Sequence, residues 1–163
     1  RGTPIPPWTF VLSQAISGVV ISAAMTVLIV VIGRIVFDVS LNTSAIPTLF
    51  ISVILGAASF GAIGLALTSI ISSEDAAPAV TNAIFLPLYF VSDVFIVGAD
   101  TPEFIQLIGN LFPVKHLALA LQDSFNPLIS GTPWPWDHWL VVTGWGAFGA
   151  VITVRTFRWF PQR

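Results

Sequence analysis

Long runs without charge, rather than an alternation of polar and apolar faces, organise this sequence. Residues 2–33 carry no charged side chain, and neither do residues 39–73. A stretch of about 20 apolar residues is long enough to cross the hydrocarbon core of a bilayer as a helix. The pattern predicts an all-α integral membrane protein with four transmembrane helices, at about residues 8–36, 47–71, 79–97 and 139–154.

The third predicted span combines an interior proline with several polar side chains, one of which is the carboxylate of Asp93. It follows an acidic turn and begins near Pro78, and Pro87 should kink it because proline removes a backbone donor within a helix. Hydrocarbon cannot satisfy polar side chains, so those of this span should face protein or a water-filled path. They are Asn82, Tyr89, Ser92 and Asp93.

Residues 102–125 change character and predict two short amphipathic helices separated by Pro113. In the second helix Leu117 and Leu121 share one side. The other side is predicted to hold Lys115, His116, Gln122 and Asp123. Neither helix is long enough to cross a bilayer, so the pair predicts an interfacial or re-entrant helical hairpin against the outer ends of the spans.

Small residues recur at helical spacing in the first two spans. The first stripe consists of Gln14, Gly18, Ser22 and Thr26. The second span has three pairs of small residues four positions apart: Ser52 and Gly56, Ala57 and Gly61, and Gly64 and Thr68. Such spacing is typical of close helix packing in membranes, with a substrate-facing wall as the alternative for the first stripe.

Residues typical of the membrane interface frame the spans. Arg34 and Asp38 lie four positions apart at the end of the first span and could pair. Tryptophan favours the level of the lipid headgroups. On that basis the interfacial residues are predicted to be Trp8, Trp134, Trp136, Trp139 and Trp159.

Composition narrows the function classes. Charged residues make up 9% of the chain, mean hydropathy is +0.91, and the six scattered basic residues cannot form a surface that tracks phosphates, which disfavours nucleic-acid binding. The absence of cysteine excludes disulfides and thiol catalysis. His116 and His138 are far apart in sequence, so neither a metal site nor acid–base catalysis is expected.

Four spans would place both ends of the chain on one side of the membrane. Arg1, Arg155, Arg158 and Arg163 would lie there, against Arg34 and Lys115 on the other side. The positive-inside rule therefore predicts cytoplasmic termini, with the hairpin outside. Because the sequence begins at Arg1 without methionine, we expect upstream sequence to be missing.

Four blocks, in this order and spacing, resemble the membrane subunit of type-2 ABC exporters, particularly the bacterial daunorubicin-resistance kind. They are RGTPIPPW, SSEDAAPAVTNAIFLPLYFVSDVFI, FPVKHLALALQDSF and RTFRWFP. The resemblance implies a six-span permease in the cell membrane, of which this chain supplies the last four spans, paired with a second permease copy as a homodimer or heterodimer. A separate ABC ATP-binding subunit would bind ATP and Mg, leaving no cofactor in this chain. Asp93 departs from the family pattern, which has a small residue there.

The resemblance, together with the loop and hairpin pattern, assigns expected roles. Contacts to the ATPase subunit are expected from Arg1, Gly2, Thr3, Pro4, Ser73, Glu74 and Asp75. The translocation path is expected to include Asn82, Tyr89, Ser92 and Asp93, and the outer gate Leu107, Leu111, Phe112 and Pro113. The sequence contains no Gly-Lys pair and hence no phosphate-binding loop, so the chain is predicted to be a transport subunit rather than an enzyme.

The implied function is ATP-driven export, as in multidrug resistance, of a drug-like, lipid or other amphipathic substrate through a lipid-embedded permease. A passive channel or a structural membrane-assembly protein without an ATPase partner is the alternative. Small-residue helix packing fits all of these.

Overall fold

A computed structural model describes residues 7–39, 42–71, 75–92, 103–125 and 134–156. Every regular element in these ranges is helical, which confirms the all-α class. The α-helices are α1 (Pro7–Phe37), α2 (Ile46–Ile70), α3 (Ala77–Val91), α4 (Glu103–Leu111), α5 (Pro113–Phe125) and α6 (Trp136–Thr156). The 3₁₀ turn Thr43–Ala45 leads into α2.

Three helices, α1, α2 and α6, are long and apolar enough to cross a membrane. The third predicted span is shorter than expected. Its helix α3 has 15 residues and ends at Val91 rather than Val97, and 15 residues rise about 22 Å, less than the roughly 30 Å of a hydrocarbon core. Residues 93–100, in which the predicted span would end, lie outside the described ranges.

The core of the bundle is a parallel pair formed by α2 and α6. Near the start of both helices the indole N–H of Trp139 donates to Ser52 Oγ at 2.8 Å, and near their ends Ser69 and Thr156 share a hydrogen bond of 2.8 Å. The buried positions of α6 recur at spacings of three and four, as in a coiled coil. They are Trp139, Val142, Gly146, Gly149 and Thr153.

Glycine lets the backbones of this pair approach closely. A Cβ added at Gly149 would lie 2.9 Å from the backbone nitrogen of Ile63, and one at Gly146 would lie 2.8 Å from Cα of Ser59. Backbone atoms cannot move aside as a flexible side chain can. Close helix contact in the membrane therefore depends on these two glycines.

The predicted small-residue stripes pack only in part. On α1, Gly18 approaches the Ala57 carbonyl oxygen, with 3.9 Å between that oxygen and an added Cβ. Gln14, at the start of that stripe, is exposed. On α2, a Cβ at Gly61 or Gly64 would meet no described atom within 4 Å. The small residues of α2 that pack within the described chain include Ser52, Gly56 and Ser59. Close helix packing at Gly61 and Gly64 stays a prediction.

The outside of α1 is mostly apolar, with Ile35 77% exposed. A soluble protein rarely exposes apolar surface on this scale. Lipid or further transmembrane helices must therefore surround α1. At its end Arg34 Nη1 lies 3.8 Å from Asp38 Oδ1, which confirms the predicted pair, although two exposed partners contribute little to stability.

The bundle has two distinct ends. At one end, the start of α1 lies near the end of α6, because Trp8 and Val154 line the same cleft. The end of α2 lies there too, because Ser69 and Thr156 share a hydrogen bond. We call this the terminal end. The opposite end holds the Thr43–Ala45 turn, the start of α6 and the α4–α5 hairpin, and is called the hairpin end.

Candidate translocation site

The α4–α5 hairpin reaches deep between the long helices. The carbonyl oxygen of Leu111 accepts a 2.9 Å hydrogen bond from the indole N–H of Trp145, and Phe112 stacks on the same indole with 5.6 Å between ring centroids. Trp145 is the tenth residue of α6, which places the hairpin tip about 14 Å along that helix. Of the two alternatives, the geometry therefore favours the re-entrant hairpin.

The second arm of the hairpin docks on α2 at a glycine. Carbon atoms of the Leu117 side chain occupy the space that a Cβ at Gly56 would need, the nearest at 2.6 Å. Ala120 and Ser124 on the same helix are buried. Shape complementarity between a leucine and a glycine thus holds α5 against the middle of the bundle.

An apolar cavity of about 140 Å³ lies beside the hairpin tip. Helices α2 and α3 form two of the cavity walls, and the hairpin tip and α6 form the others. Lining residues include Phe60, Ile63, Phe85, Leu88, Phe112 and Trp145. A site with this lining can accommodate apolar groups but offers no side-chain charge.

Helix α3 forms the wall that differs most from its neighbours. It carries Pro87 in its interior and packs on α4 and α5. The Phe85 ring lies 6.4 Å from Phe60 and 6.3 Å from Tyr89, measured between centroids. Tyr89 therefore joins the aromatic cluster of α3 next to the cavity but does not line the cavity.

The two other predicted path residues that the structure describes do not line the cavity either. Asn82 is exposed and does not line it, and Ser92 is buried with its hydroxyl donating to the carbonyl oxygen of Leu88. Asp93 lies outside the described residues. The structure thus brings Tyr89 together with aromatic residues that the polar pattern did not single out, such as Phe85.

The four predicted gate residues divide into two pairs. Phe112 and Pro113 form the tip, where Pro113 is buried. Leu107 and Leu111 are 74% and 64% exposed, so they face away from the described bundle. Their role as a gate stays a prediction.

Only one residue of the predicted ATPase-coupling set falls within the described ranges. Asp75 is exposed and lies just before α3, whose first turn contains Pro78 as expected. Residues 1–4, 73 and 74 lie outside the description. Arg155 is exposed in the last turn of α6, at the terminal end.

Comparison with known families decides the identity. The family model described as ABC-2 type transporter matches residues 1–126 of the 163-residue chain. The chain belongs to this family. It is an ABC transporter permease, a transport subunit that crosses the membrane several times. No curated protein and no solved structure matches it.

The two histidines of the permease meet, although they are 22 positions apart. His116 Nδ1 lies 2.9 Å from His138 Nδ1, and the ring centroids are 5.1 Å apart. Their separation in sequence gave no signal of this contact. Lys115, predicted on the polar side of α5, is 8% exposed and buried, so that prediction was wrong.

One of the predicted interfacial tryptophans belongs to the core of the permease. Trp139 is 5% exposed because it fills the contact between α6 and α2. Trp134 and Trp136 stack at 5.9 Å beside it and are exposed, as an interfacial position requires. The spacing of Trp139 from Val142 and Gly146 is the signal that could have separated it from its neighbours.

A second, larger cleft of about 490 Å³ opens between α1, α2 and α6 toward the terminal end of the permease. Its lining is apolar and small, with Ala58, Ala62, Gly146 and Ala150 at its floor and Trp8 at one end. It is open to the surroundings. Lipid is the expected neighbour of such a surface in a membrane.

Proposed function

We propose that this permease is the transmembrane subunit of an ATP-driven exporter for amphipathic, drug-like or lipid substrates. A separate ABC ATP-binding subunit supplies the energy, and a second permease copy completes the path. The observation that carries the proposal is the family match over residues 1–126, and the apolar cavity of about 140 Å³ between α3 and the tip of the re-entrant hairpin supports a contact with one apolar group of the substrate.

The elements around that cavity differ in how firmly they are held. The α2–α6 pair is joined by buried heptad positions and by the Trp139–Ser52 hydrogen bond. In contrast, α3 is short, contains Pro87 and packs on the hairpin. A rigid-body shift of α3 and the hairpin against α2 and α6 would open or close the cavity, as packed elements move in switching proteins.

The cavity lining supports the substrate class. Phe60, Phe85 and Trp145 offer aromatic surface to an apolar substrate body. Tyr89 lies beside Phe85 and Asp93 follows four residues later, which supports a polar or cationic end on the substrate. Amphipathic molecules combine both properties.

The terminal end is proposed to face the cytoplasm and the ATPase subunit. Four of the six basic residues of the chain, Arg1, Arg155, Arg158 and Arg163, belong to segments at that end or next to it in sequence, which agrees with the positive-inside rule. The exposed Asp75 precedes α3 at its start. A push on the turn before α3 would thus act directly on a wall of the cavity.

The first test is the charge reversal Asp75→Lys in the assembled transporter. It should lower substrate-stimulated ATP hydrolysis about tenfold, because an opposite charge pair at a protein interface contributes on the order of 1.5 kcal/mol or more. The measurement is ATPase activity in nanodiscs with and without substrate. The matched control Glu103→Lys, which reverses an exposed carboxylate on the hairpin, should leave stimulation unchanged.

Equal losses in both variants would show that Asp75 has no special role in coupling. Substrate flux that needs no ATP and no partner subunit would favour the passive channel. Labelling of a cysteine at position 73 from outside intact cells would overturn the proposed orientation.

The second test concerns Asp93. Replacement by asparagine keeps the shape and removes the charge, so export of a cationic substrate should fall several-fold more than export of a neutral one. The measurement is transport of a matched pair of substrates into inverted vesicles. The alternative is that the Asp93 carboxylate only reaches water at the membrane interface. It predicts that the substitution changes export of both substrates equally.

A further inference from the structure

The contact between His116 and His138 joins the hairpin to the start of α6. His116 is the fourth residue of α5 and His138 the third of α6. The described residues hold no group of three side chains able to bind a metal ion. A hydrogen bond therefore explains the 2.9 Å between the two Nδ1 atoms.

The hydrogen-bond partners determine where the protons lie. His116 Nε2 is 2.8 Å from the carbonyl oxygen of Asn110. A carbonyl oxygen only accepts, so Nε2 of His116 carries a proton. When the His116 ring is neutral, its Nδ1 therefore carries no proton and accepts a hydrogen bond from the N–H at Nδ1 of His138.

Successive protons act differently on this bond. The first added proton binds to His138 Nε2 and leaves the Nδ1–H···Nδ1 bond intact. The second must bind to His116 Nδ1, because no other ring nitrogen is basic. Two N–H groups and two positive charges then face each other across 2.9 Å, and the contact has no acceptor.

We propose that this histidine pair is a proton-sensitive clasp, closed at neutral pH and opened by acid, that regulates how firmly the hairpin is held on α6. Histidine is the side chain whose charge ordinarily changes in the physiological pH range.

Charged side chains near the clasp lie on α6, α5 and α4. On α6, Asp137 Oδ2 lies 3.5 Å from His138 Nδ1 and is exposed, so it can accept that N–H once the pair separates. On α5, Lys115 precedes His116 and Asp123 lies two turns further along. On α4, Glu103 is at the far end of the helix from Asn110, and α2 carries no charged side chain.

Opening the clasp loosens the hairpin without detaching it. The Trp145–Leu111 hydrogen bond and the Leu117–Gly56 contact involve no titratable group and persist in acid. Loss of one hydrogen bond of ordinary strength corresponds to about a fivefold change in a local opening equilibrium. Only the effect on export rests on the proposed function, because the clasp itself is a property of the fold.

The test is hydrogen exchange of the permease in nanodiscs, without ATPase subunit or substrate. Protection factors, corrected for the intrinsic pH dependence of amide exchange, are compared at pH 7.5 and pH 5.0 for the first two turns of α5. In the wild type they should fall about fivefold in acid. In His138→Gln they should stay constant, because the amide can donate to a neutral His116 or accept from a charged one.

Two further variants complete the test. Asp123→Asn removes a titratable group from the same helix outside the clasp and should retain the acid-dependent drop. His116→Gln is the reciprocal variant and should also remove the drop if His138→Gln does not fold. The proposal is wrong if the protection factors of the wild type do not fall in acid. It is also wrong if they fall equally in a folded glutamine variant. Failure of ATP-driven export with an intact drop would count only against the proposed function.

Discussion

Replacing Gly149 with leucine should disrupt the transmembrane bundle. An added Cβ at this position would stand 2.9 Å from the backbone nitrogen of Ile63 and 3.0 Å from the carbonyl carbon of Ala62, so α2 and α6 must separate to admit it. Overpacking at a rigid contact typically costs about 1–3 kcal/mol and can cost more when backbone has to move. We expect a loss of about 3 kcal/mol or more, measured as thermal unfolding in detergent and as the yield of monodisperse protein.

Gly144 offers a matched control on the same helix. A Cβ there meets no described atom within 4 Å, so Gly144→Leu should leave the midpoint of unfolding close to that of the wild type. If Gly149→Leu unfolds at the wild-type temperature, the close approach of α2 and α6 does not stabilise the bundle. If both variants fail equally, the cause is the added leucine rather than its position.

Trp139→Ala should have an effect of similar size for a different reason. The indole is buried between α6 and α2 and its N–H donates to Ser52 Oγ at 2.8 Å. Truncation leaves a large cavity, for which about 3–5 kcal/mol is the usual cost of losing a buried aromatic ring. It also leaves the buried hydroxyl of Ser52 without this donor. The free energy of unfolding is the quantity to measure.

Trp136→Ala removes the same side chain three positions earlier, where it is 64% exposed. It should change the free energy of unfolding far less than Trp139→Ala. Trp139→Phe keeps a six-membered aromatic ring but removes the five-membered ring and its N–H, so its cost should lie between about 1 kcal/mol for the hydrogen bond alone and the full cost of Trp139→Ala. If both alanine variants lower the free energy of unfolding equally, the assignment of Trp139 to the core is wrong.

The proposed mechanism requires the α2–α6 pair to be packed more firmly than α3 and the hairpin. The variants at Gly149 and Trp139 measure how firmly that pair is packed. In this mechanism the firmly packed α2–α6 pair would provide a fixed surface, against which α3 and the hairpin would form an adjustable one. The cavity of about 140 Å³ lies where the two surfaces meet. In that mechanism a force applied to the turn containing Asp75 would reach the cavity through α3, a helix that contains Pro87.

Much of the helical pattern was predictable because it depends on local composition. Charge-free runs predicted α1 and α2 with ends within one residue of those observed, and Pro113 marked the junction of the two hairpin helices. The end of α3 was missed. Pro87 lies inside the helix, and the polar side chains near its end, such as Ser92 and Asp93, are as compatible with a longer helix as with a helix end.

The sequence by itself determined the membrane class and the short hairpin, since both follow from how far apolar residues extend between prolines and charges. Tertiary structure alone decided which small residues pack, since Gly149 and Gly61 look alike until a neighbouring backbone is in place. It also decided the depth of the hairpin and the meeting of His116 with His138. Such contacts join residues far apart in the chain, and apolar periodicity specifies a face of a helix without specifying its partner.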